Sequence, residues 1–66
     1  MASTGDIVLM MKGTYKDRVG IIIGVRNTLY DIKLLKRGER RYNPNIDGPG
    51  IVVTNCIEVE DFIVSK

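Results

Sequence analysis

Residues 5–25 read GDIVLMMKGTYKDRVGIIIGV, and this stretch decides the fold. An apolar segment, residues 7–11, leads into a polar connector, residues 12–18, and then into a β-branched segment, residues 19–26. The first segment has the length of a strand and is too short for an amphipathic helix. Side chains alternate along a strand, so Val8 and Met10 are expected on one face and Ile7, Leu9 and Met11 on the other. Ile21, Ile22, Ile23 and Val25 make residues 19–26 the clearest strand of the chain. In the connector, Gly13 can supply a positive φ and Asp17 is a suitable turn residue. Gly20 and Gly24 lie four residues apart and are expected on one face, where a strand bends or another backbone comes close.

Downstream of this pair, Asn27-Thr28 is a tight polar break that predicts a β-hairpin. Residues 29–36 follow, with Tyr30, Ile32 and Leu34 alternating with Asp31 and Lys33 in the half-buried pattern of an antiparallel sheet. Residues 36–50, KRGERRYNPNIDGPG, differ in character. They form a long connector with cations at its start and glycine and proline towards its end, and Pro44 and Pro49 restrict any edge strand there. Residues 51–57 read as a fourth strand, 58–61 as an acidic turn and 62–64 as a short closing strand. Upstream, residues 1–4 are small and polar and are expected to fray. The 66 residues therefore predict a single all-β domain, a small five-stranded antiparallel barrel.

Composition narrows the chemistry. The chain has no histidine and one cysteine, so neither an ordinary zinc site nor a histidine-activated nucleophile can be assembled. No metal and no cofactor are expected. The carboxylates are scattered and no phosphate-cradling loop opens a helix, so the chain reads as a non-enzyme. Cys56 reads as a small buried hydrophobe, and a lone cysteine favours a reducing, cytoplasmic setting. No apolar run is long enough to span a bilayer, and MASTGD lacks the basic and apolar regions of a secretory signal. The formal net charge is +2, but residues 1–42 carry +5 and residues 43–66 carry −3 by count of Lys and Arg against Asp and Glu. That asymmetry predicts a basic face or edge.

The opening stretch also resembles a known pattern. Gly5-Asp6, the alternating Val8 and Met10, Gly13, Tyr15-Lys16 and Gly20 before Ile22 are similar to the KOW motif of NusG-type elongation factors and large-subunit ribosomal proteins. The resemblance covers residues 5 to 26 and implies a small SH3-like barrel in which Gly5, Gly13 and Gly20 define the geometry. It implies a module that contacts RNA, other nucleic acid or an RNA-containing machine. The chain departs from the motif at Asp17, where many members have glycine. An acidic side chain there argues against that loop lying along a phosphate backbone.

Two surfaces are candidates for contact. The first is basic: Lys36, Arg37, Arg40 and Arg41 with Tyr42 beside them, extended by Lys16, Arg18 and Arg26. Guanidinium groups grip phosphates bidentately and an adjacent aromatic stacks on an unpaired base. A solvated loop that maintains solubility is the plain alternative. Tyr15 is expected to cap the barrel end, and Tyr30 to pack in the core. The second surface is apolar. Both faces of the first two strands are aliphatic and a barrel buries only one, so Ile7, Leu9, Met11, Ile21 and Ile23 are expected to include exposed positions, with Leu9, Met11, Ile21 and Ile23 as the candidate interface. Such a patch marks a protein partner, polymerase- or ribosome-associated, or self-association. On this alternative the chain is a protein-interaction module, or a small accessory or inhibitor protein of a phage or plasmid.

Overall fold

A computed structural model describes residues 2–36 and 50–65. Its five strands are β1 (Ile7–Met10), β2 (Val19–Arg26), β3 (Leu29–Leu34), β4 (Val52–Cys56) and β5 (Phe62–Val64). They form one antiparallel sheet in the order β4-β3-β2-β1-β5. None of the described elements is a helix, so no helix is long and apolar enough to cross a membrane.

The sheet curls around a core but does not close. β4 and β5 are its two edges, and among the described residues no ladder joins them, so the small five-stranded antiparallel barrel-like fold that the sequence predicts is present with an open seam. The connection between them is a turn bonded to itself. The Asp61 N–H donates to the Ile57 carbonyl at 2.9 Å and the Val59 N–H to the Phe62 carbonyl at 2.8 Å. The Asp61 carboxylate in turn accepts from the Ile57 N–H at 2.8 Å. The backbone at the start of β5 is thus committed locally rather than to β4.

Period-two alternation explains which side chains enter the core. Val8 and Met10 of β1, Ile22 of β2, Ile32 and Leu34 of β3, Cys56 of β4 and Phe62 of β5 are buried together. Phe62 meets Tyr30 edge to face, with ring centroids 5.2 Å apart, and the Tyr30 hydroxyl donates to Glu58 at 3.2 Å. A buried tyrosine needs such a partner for its polar end. Burial first, then the Glu58 charge and bond, hold the Tyr30 hydroxyl above its ordinary pKa.

Gly20 is set by packing. It pairs with Leu34, and a Cβ there would lie 2.5 Å from Ile32 Cγ2 and 3.0 Å from the Lys33 carbonyl oxygen. Gly24 does not share its face. The β2–β3 register shifts between Ile22 and Gly24, leaving Ile23 as the extra residue of a bulge, and one inserted residue reverses the alternation. Gly24 consequently stands opposite Asp31 on the outer side.

Two other expectations are corrected. Ala2 and Ser3 are held rather than frayed. Ala2 packs in the core cluster, and the Ser3 N–H donates to the Asp6 carboxylate at 2.9 Å. Lys33, read as a solvent-facing member of β3, is only 5% exposed. The backbone at Gly50 passes directly over its aliphatic stem, since a Cβ at Gly50 would run into Lys33 Cε and Nζ.

Cys56 is buried as expected, its S–H directed at the Val53 carbonyl 3.6 Å away. Burial, then the nearby Asp61 and Asp31 charges, push its thiol pKa up. The thiolate is the reactive form, so Ellman's reagent should modify the folded protein far more slowly than the same chain in denaturant. Equal rates would place Cys56 at the surface.

Candidate nucleic-acid interface

The cationic side chains gather where three chain ends meet. The connector between β1 and β2 folds back through a backbone bond from the Asp17 N–H to the Met10 carbonyl at 2.8 Å. A second bond, from the Met10 N–H to the Arg18 carbonyl at 2.9 Å, closes the turn. This fixes Arg18 at the root of β2. Antiparallel pairing brings the end of β3 to the same place: the Leu35 N–H donates to the Val19 carbonyl at 3.0 Å. The start of β4 arrives beside it through the Leu34 N–H bonded to the Ile51 carbonyl at 2.9 Å.

The result is a shallow cleft of about 170 Å³ lined by Arg18, Lys33, Leu34, Leu35, Lys36, Gly50 and Ile51. Its cations come from the β1–β2 connector, from β3 and from the residues after β3. The chain leaves the cleft at Lys36 and re-enters it at Gly50. Both roots of the basic segment therefore lie in it. Arg37, Arg40, Arg41 and Tyr42 lie outside the described residues.

The structure thus brings Arg18 and Lys36 together and adds Lys33, which sequence reasoning assigned to the open face of β3. The signal that could have found Lys33 is weak, because the backbone that covers it comes from residue 50, well outside its local pattern. Arg26 does not join them. It ends β2, an eight-residue strand that separates it from Arg18 by up to about 25 Å. Its guanidinium donates to Asp31 at 2.8 Å and to Asn55 at 3.0 Å. The bond to Arg26 is the main reason the Asp31 carboxyl is held below its usual range. Arg26 is accordingly a structural cation of the β2–β3 hairpin. Lys16 is exposed in the connector and lines no part of the cleft.

A larger cavity, about 380 Å³, lies between the connector and β4. Tyr15 is half-buried there and packs on the core cluster, alongside Met10, Val53 and Cys56. Its rim carries the exposed Lys12–Asp61 pair at 3.6 Å, and surface pairs of this kind contribute little. Thr14, Thr54 and Asn55 share its lining with Met10, Tyr15, Val53 and Cys56, and its cation, Lys12, is paired with Asp61. Among the described residues, no three of the His, Cys, Asp and Glu side chains are grouped to hold a metal ion.

The apolar candidates divide. Ile7 pairs with Ile21, and Leu9 with Val19 and Ile63, so these five aliphatics lie together on the outer face of β5-β1-β2. Ile7, Leu9 and Ile21 were expected there; Val19 and Ile63 complete the patch. Ile23 stands in the bulge and Met11 follows the end of β1, both exposed. The chain was compared with protein-family models, with characterised proteins and with solved structures, and none of them matches it.

Proposed function

We propose that this chain is a non-catalytic binding module of the KOW kind that grips the phosphates of RNA with the cleft at the root of its basic segment. The observation that carries this reading is the convergence of Arg18, Lys33 and Lys36 from separate parts of the chain around one cleft. Arg37, Arg40 and Arg41 follow Lys36 directly in sequence and would continue the same row of cations, with Tyr42 available to stack on a base. The KOW resemblance gains support from Asp17, whose φ is 71°. That is the left-handed backbone a glycine would adopt at this position, and aspartate is among the few other residues that tolerate it. The departure from the motif thus keeps the turn and changes only its charge.

Phosphate contacts release counterions, so affinity must fall with salt. Lys33 lies under the Gly50 backbone and its ammonium donates to the Leu34 carbonyl at 3.2 Å, so Arg18 and Lys36 are the phosphate contacts of the cleft. For single-stranded RNA, two neutralised phosphates predict roughly a 7-fold loss between about 50 and 200 mM salt, and additional contacts from the basic segment steepen it. Fluorescence anisotropy with labelled single- and double-stranded RNA and DNA measures this directly. Absence of binding at the lower salt, or affinity indifferent to salt, sinks the proposal.

A second reading has its own observation, the outer aliphatic face of Ile7, Leu9, Val19, Ile21 and Ile63. On that reading the module docks on a larger protein, such as a polymerase- or ribosome-associated factor. Leu9→Lys and Ile21→Lys then abolish docking and leave RNA binding intact.

A further inference from the structure

Four non-glycine residues among those described have left-handed backbone: Asp17, Asn27, Asn55 and Val59, the last with a φ of 76°. Asp and Asn accept that conformation readily, whereas a β-branched side chain is strained there. Val59 is also 74% exposed, so its side chain returns almost nothing to the core. The turn nevertheless holds it firmly, through the bonds from Val59 to Phe62 and from Asp61 to Ile57. Exposed Ile57 stands next to it, and Glu58 and Glu60 flank it in sequence. The Glu58 carboxylate turns inward to Tyr30 and Ala2, so the turn presents a strained, outward valine with the exposed Glu60 beside it, which has the form of a docking knob.

Its complement is present in the same chain. The cleft of Arg18, Lys33 and Lys36 has an exposed aliphatic wall in Ile51 and a side-chain-free floor at Gly50. None of its lining residues belongs to the 57–61 turn, so knob and cleft occupy separate surfaces. The geometry points to a second copy of this chain as the partner, with Val59 of one copy seated in the basic cleft of the next. In that contact the Val59 methyl groups cover Ile51, and the Glu60 carboxylate faces Arg18 and Lys36. Because the two surfaces differ, the contact is head-to-tail and extends to a chain or closes into a ring. The interface is small and its association correspondingly weak. It needs no nucleic acid and is measured with none present.

Amide chemical shifts followed over roughly 0.05–2 mM protein at low salt, a range suited to weak association, should move at residues 57–61 and at Arg18, Lys36 and Ile51 together. Sedimentation velocity should show the mean mass rising over the same range. Val59→Gly removes the knob and relieves the backbone, so it abolishes self-association while raising the melting temperature. Glu60→Lys alone, and Arg18→Glu with Lys36→Glu, each weaken it. An equimolar mixture of these two charge-reversed proteins restores association, because the cleft-reversed copy keeps the native knob and the knob-reversed copy keeps the native cleft. A chain that stays monomeric throughout, shifts confined to the Ile7–Leu9–Val19–Ile21–Ile63 face, or association unchanged in Val59→Gly overturns the proposal.

Discussion

Replacing Phe62 by alanine should leave this domain at the edge of unfolding at 25 °C. Phe62 has no exposed surface, and it is where β5 plugs the core between Met10, its strand partner, and the ring of Tyr30. Truncating a fully buried phenylalanine costs about 3–5 kcal/mol, the lost transfer energy plus the cavity left behind. A domain of this size has roughly 3–10 kcal/mol in total. Small domains lose about 4–8 °C of melting temperature per kcal/mol, so a drop of about 15–30 °C, or no cooperative transition at all, is expected by circular dichroism. A drop of a few degrees would mean that β5 does not hold the core shut.

Gly20→Val is the second large effect, and its cause is the opposite one. The added Cβ meets Ile32 Cγ2 at 2.5 Å and the Lys33 carbonyl at 3.0 Å. The first contact is with a core side chain that has no free space to turn into, and the second is with β3 backbone. β2 and β3 must part for valine to fit. Overpacking of this kind typically costs 1–3 kcal/mol, and a branched side chain facing backbone belongs at about 3 kcal/mol. Chemical denaturation should show a lower midpoint with little change in slope. A variant as stable as the parent would show that the approach of β3 to Gly20 is looser than the structure has it. The same separation would move Lys33 and Lys36 away from Arg18, so the proposed RNA binding predicts an affinity that falls with stability.

Much of this architecture was legible because antiparallel strands report themselves locally. Val8 and Met10 were separable from Ile7 and Leu9 by alternation alone, and Asn27-Thr28 marked the β2–β3 hairpin. Phe62–Val64 stood out as the last apolar segment. The meander also made part of the cleft readable: the start of β2 and the end of β3 must be neighbours, so Arg18 and Lys36 had to be near each other. Arg26 was misplaced because charge was counted without strand length, which carries it to the far end of the hairpin. Three features had no local signal. The bulge at Ile23 sits within three consecutive isoleucines, where any register reads alike, and it alone turns Gly24 outward. Lys33 is buried by the distant Gly50. Ala2 is docked by Glu58 and Tyr30 across the fold, with its N–H 3.4 Å from the Glu58 carboxylate.

The basic cleft and the outer aliphatic face give different answers to one titration. Adding a short single-stranded RNA to isotopically labelled protein at low salt, and following the amide and lysine side-chain resonances, tests the account most directly. The cleft reading predicts shifts centred on Arg18, Lys33, Lys36, Gly50 and Ile51, reversed by added salt, with Arg26 and Asp31 unmoved. Shifts centred on Ile7, Leu9, Val19 and Ile21, or none at all, would contradict it.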